Sequence, residues 1–137
     1  MQATVGVTVV RHSAWYLTEP VGLEDPEWFI NGAVEIETTL SPEVLVTELF
    51  RIEKLLGRER TSKWGPRVID LDLLGYGQLV LETPRLTLPH PEMAKRRFVL
   101  EPMAEIVPGY EHPILKKNMA QLAEDLASVP GQGLVRL

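Results

Sequence analysis

The chain has 137 residues, 45% hydrophobic and 24% charged, with a net charge of −5 and no cysteine. Those values fit one domain, residues 1–137, with a full core, and they exclude a disulfide framework and a thiolate metal site. The acidic balance argues against a nucleic-acid partner, and no apolar run approaches the ~20 residues that span a bilayer, so a cytoplasmic protein with no membrane partner is expected.

In chain order, the alternating valines Val5, Val7 and Val9 predict a long strand over about residues 4–17. Residues 18–28, with two prolines, a glycine and several acids, read as a loop. From Asn31 to Leu40, Val34, Ile36, Thr38 and Leu40 alternate with Glu35, Glu37 and Thr39, predicting a strand with one dry and one wet face. Ser41-Pro42-Glu43 is a helix start, with Ser as N-cap, Pro at the first helical position and an acid in the first turn. Leu45, Leu49, Ile52 and Leu56 then form a buried stripe that Gly57 should end. A basic loop over 57–66 leads to a strand at about 67–76, with a short extension at Leu79–Leu81. Leu86–Pro91 is extended, a short helix follows near Glu92–Arg96, and a second covers Phe98–Ile106, with Pro102 in its first turn or breaking it. Asn118 caps a last helix over Met119–Ala127, and the tail 131–137 adds a short strand. Irregular alternation of strands and helices, with one polar sheet face, favours an α+β fold with an antiparallel sheet.

The stretch that carries chemistry is K-W-G-P-R-V-I-D-L-D-L-L-G-Y-G, Lys63–Gly77. On a strand, Asp70 and Asp72 point to one face, roughly 7 Å apart, and Leu71 and Leu73 to the other. Two carboxylates so placed repel unless a cation lies between them, and Mg²⁺ takes one or two carboxylates and completes its shell with water and phosphate. A lone D-x-D is also common on solvated edge strands, so the surroundings matter. Residues 1–50 hold one base, Arg11, against eight acids, whereas residues 51–97 hold ten of the fourteen bases, among them Arg58, Arg60, Lys63, Arg67 and Arg85. A carboxylate pair beside a local basic surface suits a polyphosphate.

This stretch resembles the signature of 6-hydroxymethyl-7,8-dihydropterin pyrophosphokinases of folate synthesis. The resemblance extends to T-E-P-V-G (Thr18–Gly22), F-I-N (Phe29–Asn31), L-T-L-P-H-P (Leu86–Pro91) and R-R-F-V-L-E-P-M (Arg96–Met103), in the family's order, from about Val7 to Pro108. It implies a ferredoxin-like fold, a four-stranded antiparallel sheet with helices packed on it. It implies transfer of pyrophosphate from ATP to the pterin hydroxymethyl group, releasing AMP. Asp70 and Asp72 match the ligands of two Mg²⁺ ions, and Arg58 and Arg67 match arginines that contact the triphosphate. Glu53, Arg60, Leu73, His90 and Arg96 fall on the nucleotide side. Phe29 and Phe98 match rings that sandwich the pterin, with Thr18, Val21, Asn31 and Trp64 completing its site.

Members usually begin with a strand and helix carrying G-S-N-x-G, and this chain starts near where that helix ends. The family's missing strand is central, so its absence leaves unpaired edges. Three outcomes stay open: a longer natural chain, a homo-oligomer or swapped dimer that fills the gap, or a re-formed sheet on an inactive homologue that binds only nucleotide or pterin. Gly75 stands where a large apolar residue is usual, which marks a bulge or weakened packing.

Overall fold

The computed structural model describes residues 6–18, 29–59, 70–129 and 132–137. Strand β1 (Val7–His12) pairs antiparallel with β4 (Val34–Thr38), from Val7 opposite Thr38 to His12 opposite Val34. Strand β2 (Tyr16–Thr18) is flanked by β3 (Phe29–Asn31) and β7 (Leu134–Arg136), both antiparallel to it. A third pair joins β5 (Leu81–Glu82) to β6 (Thr87–Leu88). The fold is α+β, and its described strands all pair antiparallel, forming three small sheets rather than one of four strands.

The expected long strand over 4–17 is thus two strands. Ser13 is buried, its backbone N–H donates to the Ala33 carbonyl (2.9 Å), and its hydroxyl accepts from the Ala33 N–H (2.9 Å). A side chain in the ladder's place lets the chain turn from β4 toward β3 and β7. The same junction splits the expected strand over 31–40 at Gly32–Ala33. Its dry face is only partly covered among the described residues, for Val34 is half exposed while Glu35 pairs with Arg11 at 3.1 Å.

Helix α1 (Pro42–Glu59) starts as its sequence predicts: the Ser41 hydroxyl accepts from the Val44 N–H (3.4 Å), and Leu45 and Leu49 are buried. It runs past Gly57 to Glu59, because a helical glycine costs only about 1 kcal/mol relative to alanine. The expected strand at 67–76 is corrected over its described part. Residues 70–76 are outside any strand, since no described strand lies alongside to complete a ladder. They are held instead by single contacts. The His90 N–H donates to the Leu74 carbonyl (2.8 Å), the Leu71 N–H donates to the Glu53 carboxylate, and the Tyr76 hydroxyl donates to the Leu40 carbonyl. Gly75 reflects a close approach: a Cβ there would lie 2.5 Å from the hydroxyl of Tyr110, which donates to the Gly77 carbonyl (2.6 Å).

A 3-10 turn (Met93–Lys95) stands where a short helix was expected, and α2 (Arg97–Ile106) and α3 (Met119–Leu126) follow. Pro102 is fully buried inside α2, beyond the first turn, and does not break it. The cost is one intrahelical bond, that from residue 102 to the Phe98 carbonyl. Asn118 and Gln121 form a capping box on α3, each side chain accepting from the other's backbone N–H. The core lies between these helices, from Met93, Leu100, Met103, Ile106, Met119 and Leu122, with Ala33 from the β3–β4 junction. Among the described residues no helix is long and apolar enough to cross a membrane.

One carboxylate ties the small sheet to α2. Glu105 accepts from the Ala14 N–H (3.0 Å), from the Tyr16 hydroxyl (2.7 Å) and from the Arg136 guanidinium (3.4 Å). The Tyr16 hydrogen bond holds the Glu105 carboxyl below its ordinary value, and burial, aided by Glu105, pushes Tyr16 up to about 12.

Two stability predictions follow from these contacts. Gly75→Ala should lose about 1–3 kcal/mol in urea denaturation, and adding Tyr110→Phe, which removes the obstructing oxygen, should return part of it. An unaltered Gly75→Ala midpoint would contradict the close approach. Because folded Tyr16 holds its proton above the ordinary 10.0, its contribution is complete below pH 10 and is lost as pH rises toward about 12. Glu105 acts in the opposite sense, contributing above its ordinary 4.5 and losing that contribution as pH falls through its lowered value. Stability measured across pH should therefore show both limbs, each shallower in Tyr16→Phe. The alkaline limb persists in part because burial also raises Tyr110.

Candidate functional site

A groove of about 310 Å³ lies between α1 and the segments around residues 71–73 and 83–91. Local chemistry explains how each wall arises. Glu53 sits one turn beyond Leu49 on α1, half-buried, and its carboxylate accepts the Leu71 N–H, which pins the 70–76 segment against the helix. Asp72 and Leu73 line the groove from that segment. His90 closes one end. Its Nδ1 accepts from the Glu92 N–H (3.1 Å), which leaves the neutral ring's proton on Nε2. Thr83 and Leu86 bond reciprocally through their backbones, closing a turn that places Pro84 and Arg85 at the groove's rim. Val46, Leu49 and Phe50 supply an apolar wall.

Four of the residues expected on the nucleotide and metal side, Glu53, Asp72, Leu73 and His90, therefore meet in one groove although they come from three stretches of chain. Asp70 is exposed and is not among the groove's lining residues. Arg85 and Phe50 line it and were not among the sequence-predicted site residues. The turn signal Thr-Pro-Arg between two extended stretches, within the basic stretch 51–97, could have drawn attention to Arg85. Phe50 reads from sequence only as one more apolar residue on α1.

Asp70 and Asp72 make no hydrogen bond or ion pair among the described residues, and no cluster of three or more metal-ligating side chains occurs there. Two exposed carboxylate groups with no paired cation among the described residues fit Mg²⁺, which keeps most of its shell as water and phosphate oxygen. Calcium-type cages with six or more protein oxygens do not match so sparse a donor set.

Of the residues expected around a flat ring, Thr18, Phe29 and Asn31 lie on β2 and β3 and Phe98 lies on α2, a helix that contacts both strands. Thr18 is buried and opposite Phe29 in the β2–β3 register, and the Asn31 side-chain amide donates to the Thr18 hydroxyl (2.8 Å). That bond orients the Asn31 amide, whose carbonyl oxygen remains able to accept. Arg96 and Phe98 flank the start of α2, the Arg96 guanidinium 5.7 Å from the centre of the Phe98 ring. A cation over the ring strengthens the hold on both side chains.

Several expected residues lie outside the described residues: Val21, Arg60, Lys63, Trp64 and Arg67. For Phe29 and Arg58 only the backbone is described, in β3 and in the last turn of α1.

A family model described as 7,8-dihydro-6-hydroxymethylpterin-pyrophosphokinase matches residues 1–108. A 2-amino-4-hydroxy-6-hydroxymethyldihydropteridine pyrophosphokinase of Synechocystis is 46% identical over 121 residues, which is 88% of this chain and 62% of the relative. The protein of the same name from Bacillus subtilis is 50% identical over 100 residues, 73% of this chain and 60% of the relative. That from Pseudomonas aeruginosa is 40% identical over 129 residues, 94% and 77%. The chain thus spans between 60% and 77% of the length of these curated relatives. Every candidate side chain, from Thr18 to Phe98, falls inside the family match, and the chain belongs to the 7,8-dihydro-6-hydroxymethylpterin-pyrophosphokinase family.

Proposed function

We propose that residues 1–137 act as one cytoplasmic domain that transfers pyrophosphate from ATP to 6-hydroxymethyl-7,8-dihydropterin, giving AMP and the pterin diphosphate in folate biosynthesis. The observation that carries this reading is the groove in which Glu53, Asp72, Leu73 and His90 converge inside a chain of this family. A diphosphoryl transfer asks little covalent chemistry of the protein. It needs the two substrates aligned and the phosphate charge neutralised.

In this reading the triphosphate lies along the groove. His90, donating from Nε2, and Arg85 at the rim supply donors from the described residues. Arg58, Arg60, Arg67 and Arg96 add positive charge. The wall of Val46, Leu49 and Phe50 takes an apolar base face, and Glu53 stiffens the floor through Leu71. Asp70 and Asp72 would hold two Mg²⁺ ions, which supply charge neutralisation between phosphates and a lowered pKa for the attacking hydroxyl. The pterin stacks between Phe29 and Phe98, with Asn31, Thr18, Val21 and Trp64 around its edge. The Asn31–Thr18 bond fixes which way the amide presents its donor and acceptor.

The direct test is AMP release that requires ATP, the hydroxymethyl pterin and Mg²⁺ together. Asp72→Ala should lower kcat by about 10²-fold or more, and chelation of divalent ions should abolish turnover. Nucleotide binding without turnover by folded protein would contradict the reading. Phe98→Ala should raise the KM for the pterin by roughly three- to ten-fold, as expected for a lost stacking face, with the KM for ATP little changed. Equal effects on both constants would remove Phe98 from the pterin site.

A further inference from the structure

Helix α2 begins without a cap of its own. Arg96, in the N-cap position, is extended (φ −119°, ψ 109°) and offers no side-chain acceptor to the first turn. The first helical N–H, that of Arg97, is bonded instead by a residue 35 positions away: the Gln132 side-chain oxygen accepts it at 2.7 Å. The Arg97 guanidinium returns the contact, donating to the Gln132 backbone carbonyl (3.3 Å), and is held on its other side by Glu101 (3.3 Å) one turn along the helix. Gln132 is in turn anchored by β7, which begins two residues later and pairs with β2.

An arginine at a helix start is unfavourable toward the helix dipole, whose N-terminal end is positive. Arg97 is therefore not there to cap. Its bonds to Glu101 and Gln132 make it a strap that holds the tail across the first turn. That turn carries the Arg96–Phe98 pair, and the same tail runs beside Thr18, which faces Leu134 across the β2–β7 register.

We propose that Gln132 is a positioning residue for the pterin site: it caps α2 from the far end of the chain and so sets the orientation of Phe98 and Arg96 relative to Thr18 and Asn31. This inference rests on the pyrophosphokinase reading above. Gln132 lies beyond residues 1–108, the stretch the family model matches, so the capping acceptor comes from outside that stretch. It also assigns a task to Arg97, for which the resemblance implies none, unlike its neighbours Arg96 and Phe98.

The test compares Gln132→Ala, which removes the acceptor, with Gln132→Glu, which keeps a side-chain oxygen at the same reach. Loss of a helix N-cap shifts the local equilibrium by on the order of five-fold. Gln132→Ala should therefore raise the pterin KM by on the order of five-fold, raise the ATP KM by less because only Arg96 of that turn faces the nucleotide, and speed hydrogen exchange at the Arg97 amide. Gln132→Glu should return all three toward the wild-type values. An active wild type whose Gln132→Ala variant keeps the pterin KM overturns the proposal alone. So does an equal rise in both Michaelis constants, which marks a general loss of structure. A folded wild type with no pterin-dependent AMP release overturns the reading beneath it, and the proposal with it.

Discussion

The arrangement depends on how α2 is held. Its C-terminal carbonyl at Ile106 accepts from the Arg11 guanidinium (3.0 Å), Glu105 on its last turn gathers Ala14, Tyr16 and Arg136, and its first N–H is bonded by Gln132. Strands β1, β2 and β7 are thereby fastened to one rod whose other face is the apolar core with α3. A cation at the C-terminal end and an acceptor at the N-terminal end both work with the helix dipole. Without that rod, three small sheets of two and three strands would have little to pack against, since isolated pairs of strands are marginal in water.

The site follows from the same logic of sparse, specific ties. The 70–76 segment has no described ladder to stiffen it, so its place depends on a few polar contacts, of which Glu53 to the Leu71 N–H is the one inside the groove. A carboxylate that spends itself on a backbone N–H is a positional element rather than a reactive one. Asp72, one residue on, is left without a partner among the described residues and lines the open space. Glu53 thus positions the segment from α1 while Asp72, on that segment, is left open to the groove, and the residues expected around a ring sit on a separate support, the β2–β3 pair under α2.

What could be read from the sequence was what local chemistry decides. Ser41-Pro42 starts α1 and Asn118 starts α3 because caps act over three or four residues, and of the expected stripe Leu45 and Leu49 are buried while Ile52 and Leu56 are only partly covered. The bond from Asn31 to Thr18 was not legible, although both residues were expected around a ring. The break at Ser13 was illegible because it depends on Ala33, twenty residues away, and the reason for Gly75 was illegible because the atom that excludes a side chain belongs to Tyr110. Arg85 was visible only as one base among the ten of residues 51–97, until the Thr83–Leu86 turn placed it at the groove. The strand expected over 67–76 failed in its described part for a related reason: alternation reports a residue's preference for extension, but a ladder needs a neighbour.

The central claim is that one groove takes the nucleotide while the start of α2 takes a flat ring. A crystal structure of the protein with Mg²⁺, a non-hydrolysable ATP analogue and 6-hydroxymethylpterin tests it most directly. The account predicts phosphate density beside Asp72 and His90, metal density between Asp70, Asp72 and the phosphates, and the pterin stacked on Phe98 with its edge at Asn31. A nucleotide seated outside the groove, or a pterin with no contact to Phe98 or Asn31, would contradict it.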